Sequence, residues 1–164
     1  MIVLDANILV TDLSYPNDPN QTVNRRFLDF VAANKIERGI TTQGLLEVVG
    51  KRSFQTPAAI IARLPAILLA RYELMLIPDS ATVPEYAACT FDEVVTQMAA
   101  QMGLGDAIMA VQIAKFAPTA DALITWNAKH FRGKLIVPVL TPDEWLAQQQ
   151  PLTAPTTPPT GPTP

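Results

Sequence analysis

The chain is predicted to be an α/β protein built on parallel strands that are buried on both faces. Three observations lead there. Ile2-Val3-Leu4, Leu74-Met75-Leu76-Ile77 and Ala122-Leu123-Ile124 are short apolar runs with no polar alternation, as expected of strands covered on both sides. Stretches with helical spacing separate them, which parallel neighbours need as crossovers. Asp5 follows the first run and Asn127 lies just past the fourth strand candidate. Both fall at the carboxyl ends of strands, the edge where open α/β sheets bind ligands.

With 164 residues, the expectation is one domain, residues 1–148, followed by a tail at 149–164. Hydrophobic residues make up 49% and charged residues 16%, so a sizeable core is available. A net charge of −3 offers no global basic field, and any nucleic-acid contact must be local. A single cysteine, Cys89, excludes an internal disulfide and a thiolate zinc cage, and fits a reducing cytoplasm. Arg63, Pro65 and Arg71 interrupt the most apolar stretch, so no membrane span is expected.

In chain order, the first strand ends at Asp5, and the turn formers Ser14-Tyr15-Pro16-Asn17-Asp18-Pro19-Asn20 mark a loop. Thr22 is a candidate cap for a helix with Phe27, Phe30 and Val31 on its apolar face. Arg25, Arg26, Lys35 and Arg38 on or near it suit a solvated face, with an RNA-facing rim as the sharper alternative. Gly39–Thr42 is the second strand, and a helix begins at Thr42 or Gln43. Glu47 stands in the middle of that helix's apolar run, where an unpaired carboxylate is unusual unless it points outward.

Residues 57–72 read as a helix broken or kinked near Pro65, followed by the third strand. Thr90 and Glu93 form a capping-box pattern ahead of a helix through Met102. The helix after Gly103-Leu104-Gly105-Asp106 is apolar almost all round and should be buried. The Asp106 carboxylate near its start is favoured by the helix dipole. Ala122–Thr125 is the fourth strand and Leu135-Ile136-Val137 the fifth. Thr141-Pro142-Asp143-Glu144 opens a last helix. Beyond it the Pro/Thr-rich composition cannot bury a core.

Each acid has a bland explanation alone, but Asp5, Glu47, Asp106 and Asn127 share a layout. If strands one and four are neighbours, all four converge on one cleft at the topological switch point. Carboxylates crowded there repel one another unless a hard cation such as Mg²⁺ or Mn²⁺ neutralises them.

The same residues carry a family resemblance. Ile2-Val3-Leu4-Asp5-Ala6-Asn7, Thr41-Thr42 with Glu47 five residues on, Asp106-Ala107 opening an apolar helix, and Leu123-Ile124-Thr125-Trp126-Asn127 with Phe131 beyond resemble the PIN domains, in particular the VapC-type toxin ribonucleases. The closing Val139-Leu140-Thr141-Pro142 with Glu144 and Leu146 is similar too. The resemblance covers about residues 1–148. It implies a three-layer α/β/α sandwich around a five-stranded parallel sheet. It also implies an endoribonuclease dependent on Mg²⁺ or Mn²⁺ whose products end in 5′-phosphate and 3′-hydroxyl. Asp5 and Asp106 are the implied metal ligands, with Glu47 as the third acid. Asn7 and Thr125 are supporting residues, and Lys129, His130 and Arg132 are candidate RNA contacts. The implied partners are a small antitoxin and a second copy of the chain. At the fourth family position, often acidic, stands Asn127, which adds no negative charge.

Other readings fit less well. A haloacid dehalogenase-type enzyme needs an acid where Asn7 stands, and a Rossmann domain needs a glycine fingerprint after the first strand. The main rival is a PIN-like domain that binds RNA or protein without cutting.

Overall fold

The computed structural model describes residues 1–54, 56–79 and 89–149. The element order is β1 (Ile2–Leu4), α1 (Ala6–Ser14), α2 (Gln21–Ala33), β2 (Arg38–Thr41), α3 (Thr42–Ser53), α4 (Ala58–Ile61), α5 (Leu64–Tyr72), β3 (Met75–Ile77), α6 (Phe91–Ala99), α7 (Leu104–Phe116), β4 (Ala122–Ile124), α8 (Ala128–Phe131), β5 (Val139–Leu140) and α9 (Pro142–Gln149). The Pro/Thr-rich tail expected from residue 149 lies outside the described residues beyond Gln149.

The five strands form one parallel sheet in the order β3-β2-β1-β4-β5. Leu4 is in register with Ile40 on one side and Ile124 on the other. Successive side chains of a strand point to opposite faces, and two cores follow from that. Ile2, Leu4, Ala122 and Ile124 pack under α1, α2, α3, α5 and α9. Val3, Leu123 and Val139 pack under α6, α7 and α8. The result is the three-layer α/β/α sandwich, and β1 and β4 carry no polar alternation because neither of their faces meets water, whereas the edge strand β3 leaves Met75 exposed.

Several local expectations hold in detail. Thr90 and Glu93 form the capping box of α6. Pro65 sits in the first turn of α5, where a missing N–H costs nothing, and separates α5 from α4. Buried residues of α7 include Met109, Val111 and Ile113. Others shift. The cap of α2 is Asn20 rather than Thr22, and α1 fills the stretch between Asp5 and the turn-rich loop. Arg38 is not part of a solvated face. It is buried at the start of β2, donating to the carbonyls of Tyr72, Val31 and Ile36 and to Glu73.

The fifth strand is not Leu135-Ile136-Val137. The ladder forms at Val139–Leu140, where Leu123 N–H donates to Pro138 O (2.8 Å) and Thr125 N–H to Leu140 O (3.0 Å). Pro138 has no N–H for a ladder, and the chain ahead of it leaves Ile136 exposed while Val137 turns into the core.

β3 lies so close to β2 that a Cβ on Gly39 would stand 2.6 Å from Ile77 Cδ1 and 3.1 Å from Met75 O. Gly39→Ala is therefore expected to lower the unfolding free energy by about 1–3 kcal/mol in urea denaturation. An unchanged midpoint would show that the strands part at no cost.

Candidate functional site at the carboxyl edge of the sheet

β1 has β2 on one side and β4 on the other, so the sequence-order direction of the sheet reverses beside it. That is the switch point. Asp5 sits there as the N-cap of α1, but its side chain makes no capping bond within the helix. It is spent across the sheet instead. Asp5 Oδ2 accepts from Thr125 Oγ1 (2.6 Å) at the end of β4 and from Asn7 Nδ2 (2.6 Å) in the first turn of α1. Thr125 Oγ1 also accepts from Asn7 Nδ2 (2.9 Å) and from the Asn127 N–H (2.9 Å). The Asn7 carbonyl oxygen accepts from the Trp126 N–H (3.2 Å), which sets the amide so that its NH₂ faces the carboxylate.

Trp126 is held at its other end by Asn24, whose Oδ1 accepts from the indole N–H (3.0 Å). Asn24 is fully buried and donates to the Ile8 carbonyl (3.0 Å). This amide of α2, which sequence patterning placed on no functional list, joins the β4–α8 loop to α1. Another buried amide, Gln112 of α7, accepts from the Gln43 N–H (3.2 Å) and donates to Thr42 Oγ1 (3.4 Å). It fixes the start of α3 against α7, the helices that carry Glu47 and Asp106. The signal for it was a lone amide in a helix otherwise apolar.

Asp5 is 5% exposed, and its pKa is raised from 3.8 to about 6. Burial is the main cause. The Thr125 hydroxyl and the Ala6 N–H oppose it, whereas the charges of Glu47 and Asp106 both add to it. The charges of two carboxylates from remote parts of the chain thus reach Asp5. Thr41 caps α3 through Gly44 N–H (3.0 Å) and so orients the helix that presents Glu47. The Glu47 side chain is 37% exposed; Leu46 beside it, 60% exposed, is the residue that faces outward. Asp106 is the third residue of α7, behind the N-cap Gly103.

Two of the acids have a basic side chain beside them. Lys51 Nζ lies 2.9 Å from Glu47 Oε1, one helical turn along α3, and His130 Nδ1 lies 3.2 Å from Asp106 Oδ2. Among the described residues, no three His, Cys, Asp or Glu side chains stand close enough together to hold an ion as placed. By chemistry the donors suit a hard divalent cation, since all three are carboxylates and one is buried with a raised pKa. Closing such a site requires Glu47 and Asp106 to turn away from Lys51 and His130.

The remaining candidates divide. Asn127 is exposed just beyond Thr125, its backbone tied to that hydroxyl. Lys129 is exposed on α8 beside His130. Arg132 is committed elsewhere, to Glu144 of α9 and to the Val139 carbonyl (3.3 Å). A separate cavity of about 140 Å³ is lined by Asp12, Arg25, Arg38, Arg71 and Tyr72. The buried Asp12 carboxylate there pairs with Arg25 (3.0 Å) and accepts from the Tyr72 hydroxyl (2.6 Å).

Folding holds the Asp5 proton more tightly than the unfolded chain does, so ionising Asp5 costs stability. That cost is absent below about pH 4 and reaches about 3 kcal/mol above pH 6. In urea denaturation with a chelator present, the wild type is expected to lose stability relative to Asp5→Asn as pH rises from about 4 to about 7. A difference constant across that range would refute the perturbed carboxylate. Asn7→Ala, which strips a charge-assisted hydrogen bond from Asp5, is expected to cost about 1–3 kcal/mol at pH 7 by the same measurement. Full stability in that variant would mean water replaces the amide.

No protein-family model matches the chain, and no curated protein matches it by sequence. Solved structures do. The chain is similar to one in the crystal structure of VapBC2 from Rickettsia felis bound to a DNA fragment from its promoter, with 23% identity and a TM-score of 0.58 over 86% of this chain and 98% of that one. It is also similar to one in the structure of VapBC-1 from nontypeable Haemophilus influenzae, with 15% identity and a TM-score of 0.59 over 87% and 99%. The chain therefore has the fold of these VapBC chains, the PIN-like three-layer architecture that its motifs led us to expect.

Proposed function

We propose that the protein is a metal-dependent endoribonuclease and the toxin of a toxin–antitoxin pair. The observation that carries the proposal is the buried Asp5 at the switch point, with Glu47 and Asp106 near enough to raise its pKa. The VapBC fold and the motif resemblance support the substrate class and the pairing with an antitoxin.

Asp5, Asp106 and Glu47 would hold Mg²⁺ or Mn²⁺. When bound, the cation supplies charge neutralisation at the phosphate and lowers the pKa of an attacking water. The chain's own residues do the rest. Thr125 and Asn7 aim one Asp5 oxygen and leave the acid no freedom to rotate, which is how outer partners tune a metal site. Asn127 brings an amide to the same edge, suited to orienting water or a phosphate oxygen without adding charge. Lys129 supplies an exposed cation for a neighbouring phosphate.

A second reading, a binding module that does not cut, draws on Asn127 in place of an acid and on the pairing of Glu47 and Asp106 with Lys51 and His130. One experiment separates the two. The full chain is incubated with single-stranded RNA and Mn²⁺. Cleavage should stop with a chelator, disappear in Asp5→Asn, and leave 5′-phosphate ends. Thr125→Ala should lower the rate about 10–100-fold. RNA binding with no metal-dependent cutting favours the second reading, and cutting that survives Asp5→Asn removes the proposed site.

A further inference from the structure

We infer that Lys51 is a built-in counter-ion that competes with the divalent cation for Glu47 and thereby sets how tightly the site takes metal. The inference rests on the metal-dependent reading above. Lys51 and Glu47 are four residues apart, on one face of α3. The contact is direct, at 2.9 Å, and both side chains are partly exposed, at 46% and 37%. Exposed helical pairs of this kind are weak and readily exchanged. The same Glu47 charge reaches Asp5 and raises its pKa, so the residue belongs electrostatically to the acid cluster while its oxygen is turned to an ammonium. An ammonium has three donors and no lone pair. Lys51 can neutralise Glu47 but never serve as a ligand, so metal and lysine exclude one another at that carboxylate.

Two effects then act in the same direction. A cation entering the site must break the Lys51–Glu47 contact, and it must approach a fixed positive charge one helical turn away. Removing Lys51 relieves both. The consequence is a gain of function in binding, which damage to the fold would not produce.

The test is calorimetric titration of Mn²⁺ into the full chain at low ionic strength, where charge effects between partly exposed groups are least screened. Lys51→Met is expected to tighten Mn²⁺ binding about three- to tenfold, and Lys51→Arg, which keeps the pair, to bind like wild type. Arg52→Gln removes an equal charge one residue along, from a side chain that contacts Ser14 (3.4 Å) rather than Glu47. Its effect should be less than half as large. In a Glu47→Gln background, Lys51→Met should gain no more than Arg52→Gln does, because only the through-space repulsion is left to relieve. Unchanged or weaker binding in Lys51→Met overturns the inference, as does a gain that persists undiminished without Glu47 or that Arg52→Gln matches. If wild type binds Mn²⁺ and cuts RNA while Lys51→Met binds no tighter, only this inference falls. If no variant binds Mn²⁺, the metal-dependent reading falls and the inference with it.

Discussion

The structure turns on one buried carboxylate. Asp5 ends the central strand, and a charge placed there must be satisfied or the sheet edge pays several kcal/mol for it. Thr125 and Asn7 satisfy one oxygen, and in doing so they stitch the ends of β1 and β4 to the first turn of α1. The same carboxylate is left only partly compensated, since burial and two neighbouring acids still raise its pKa. This acid is held in place by neutral donors and left with part of its charge uncompensated. Both properties suit an acid meant to meet a cation, and neither is needed by an acid that merely caps a helix.

Around this centre the fold uses buried amides rather than ion pairs to set its geometry. Asn24 ties Trp126 to the Ile8 carbonyl, and Gln112 ties the start of α3 to α7. Each amide donates and accepts at once, so it fixes both distance and orientation without the desolvation cost of a charge. Asp5 and Asp106 sit at helix starts, where backbone N–H groups already favour negative charge, and Glu47 lies in the second turn of α3. Glu47 and Asp106 are partly exposed and lie against Lys51 and His130, in contrast to the buried Asp5.

Much of this was legible from the residues. Strands β1 and β4 could be read because burial on both faces removes alternation, and Asp5 could be placed because it follows β1 at the switch point. What escaped has physical causes. Ile8, Leu9 and Val10 gave no sign of α1, since a helix start with an Asp cap looks like the continuation of a strand. Leu135–Val137 imitates a strand in composition, but register is set by Pro138 and by the pairing of β4. Asn24 is one amide on a polar-looking helix, and only its partners 16 and 102 residues away give it meaning. The Lys51–Glu47 spacing was visible; that the pair would form beside Asp5 depended on how α3 packs.

The long sequence separation within the site also bears on when its chemistry can begin. Asp5 and Glu47 are synthesised well before Asp106 and Thr125, which lie about sixty or more residues further along the chain than Glu47. Until then the central strand lacks its β4 neighbour and the first acid lacks its hydroxyl partner. The carboxyl edge therefore assembles only after β4 has been made, however early its first acid emerges.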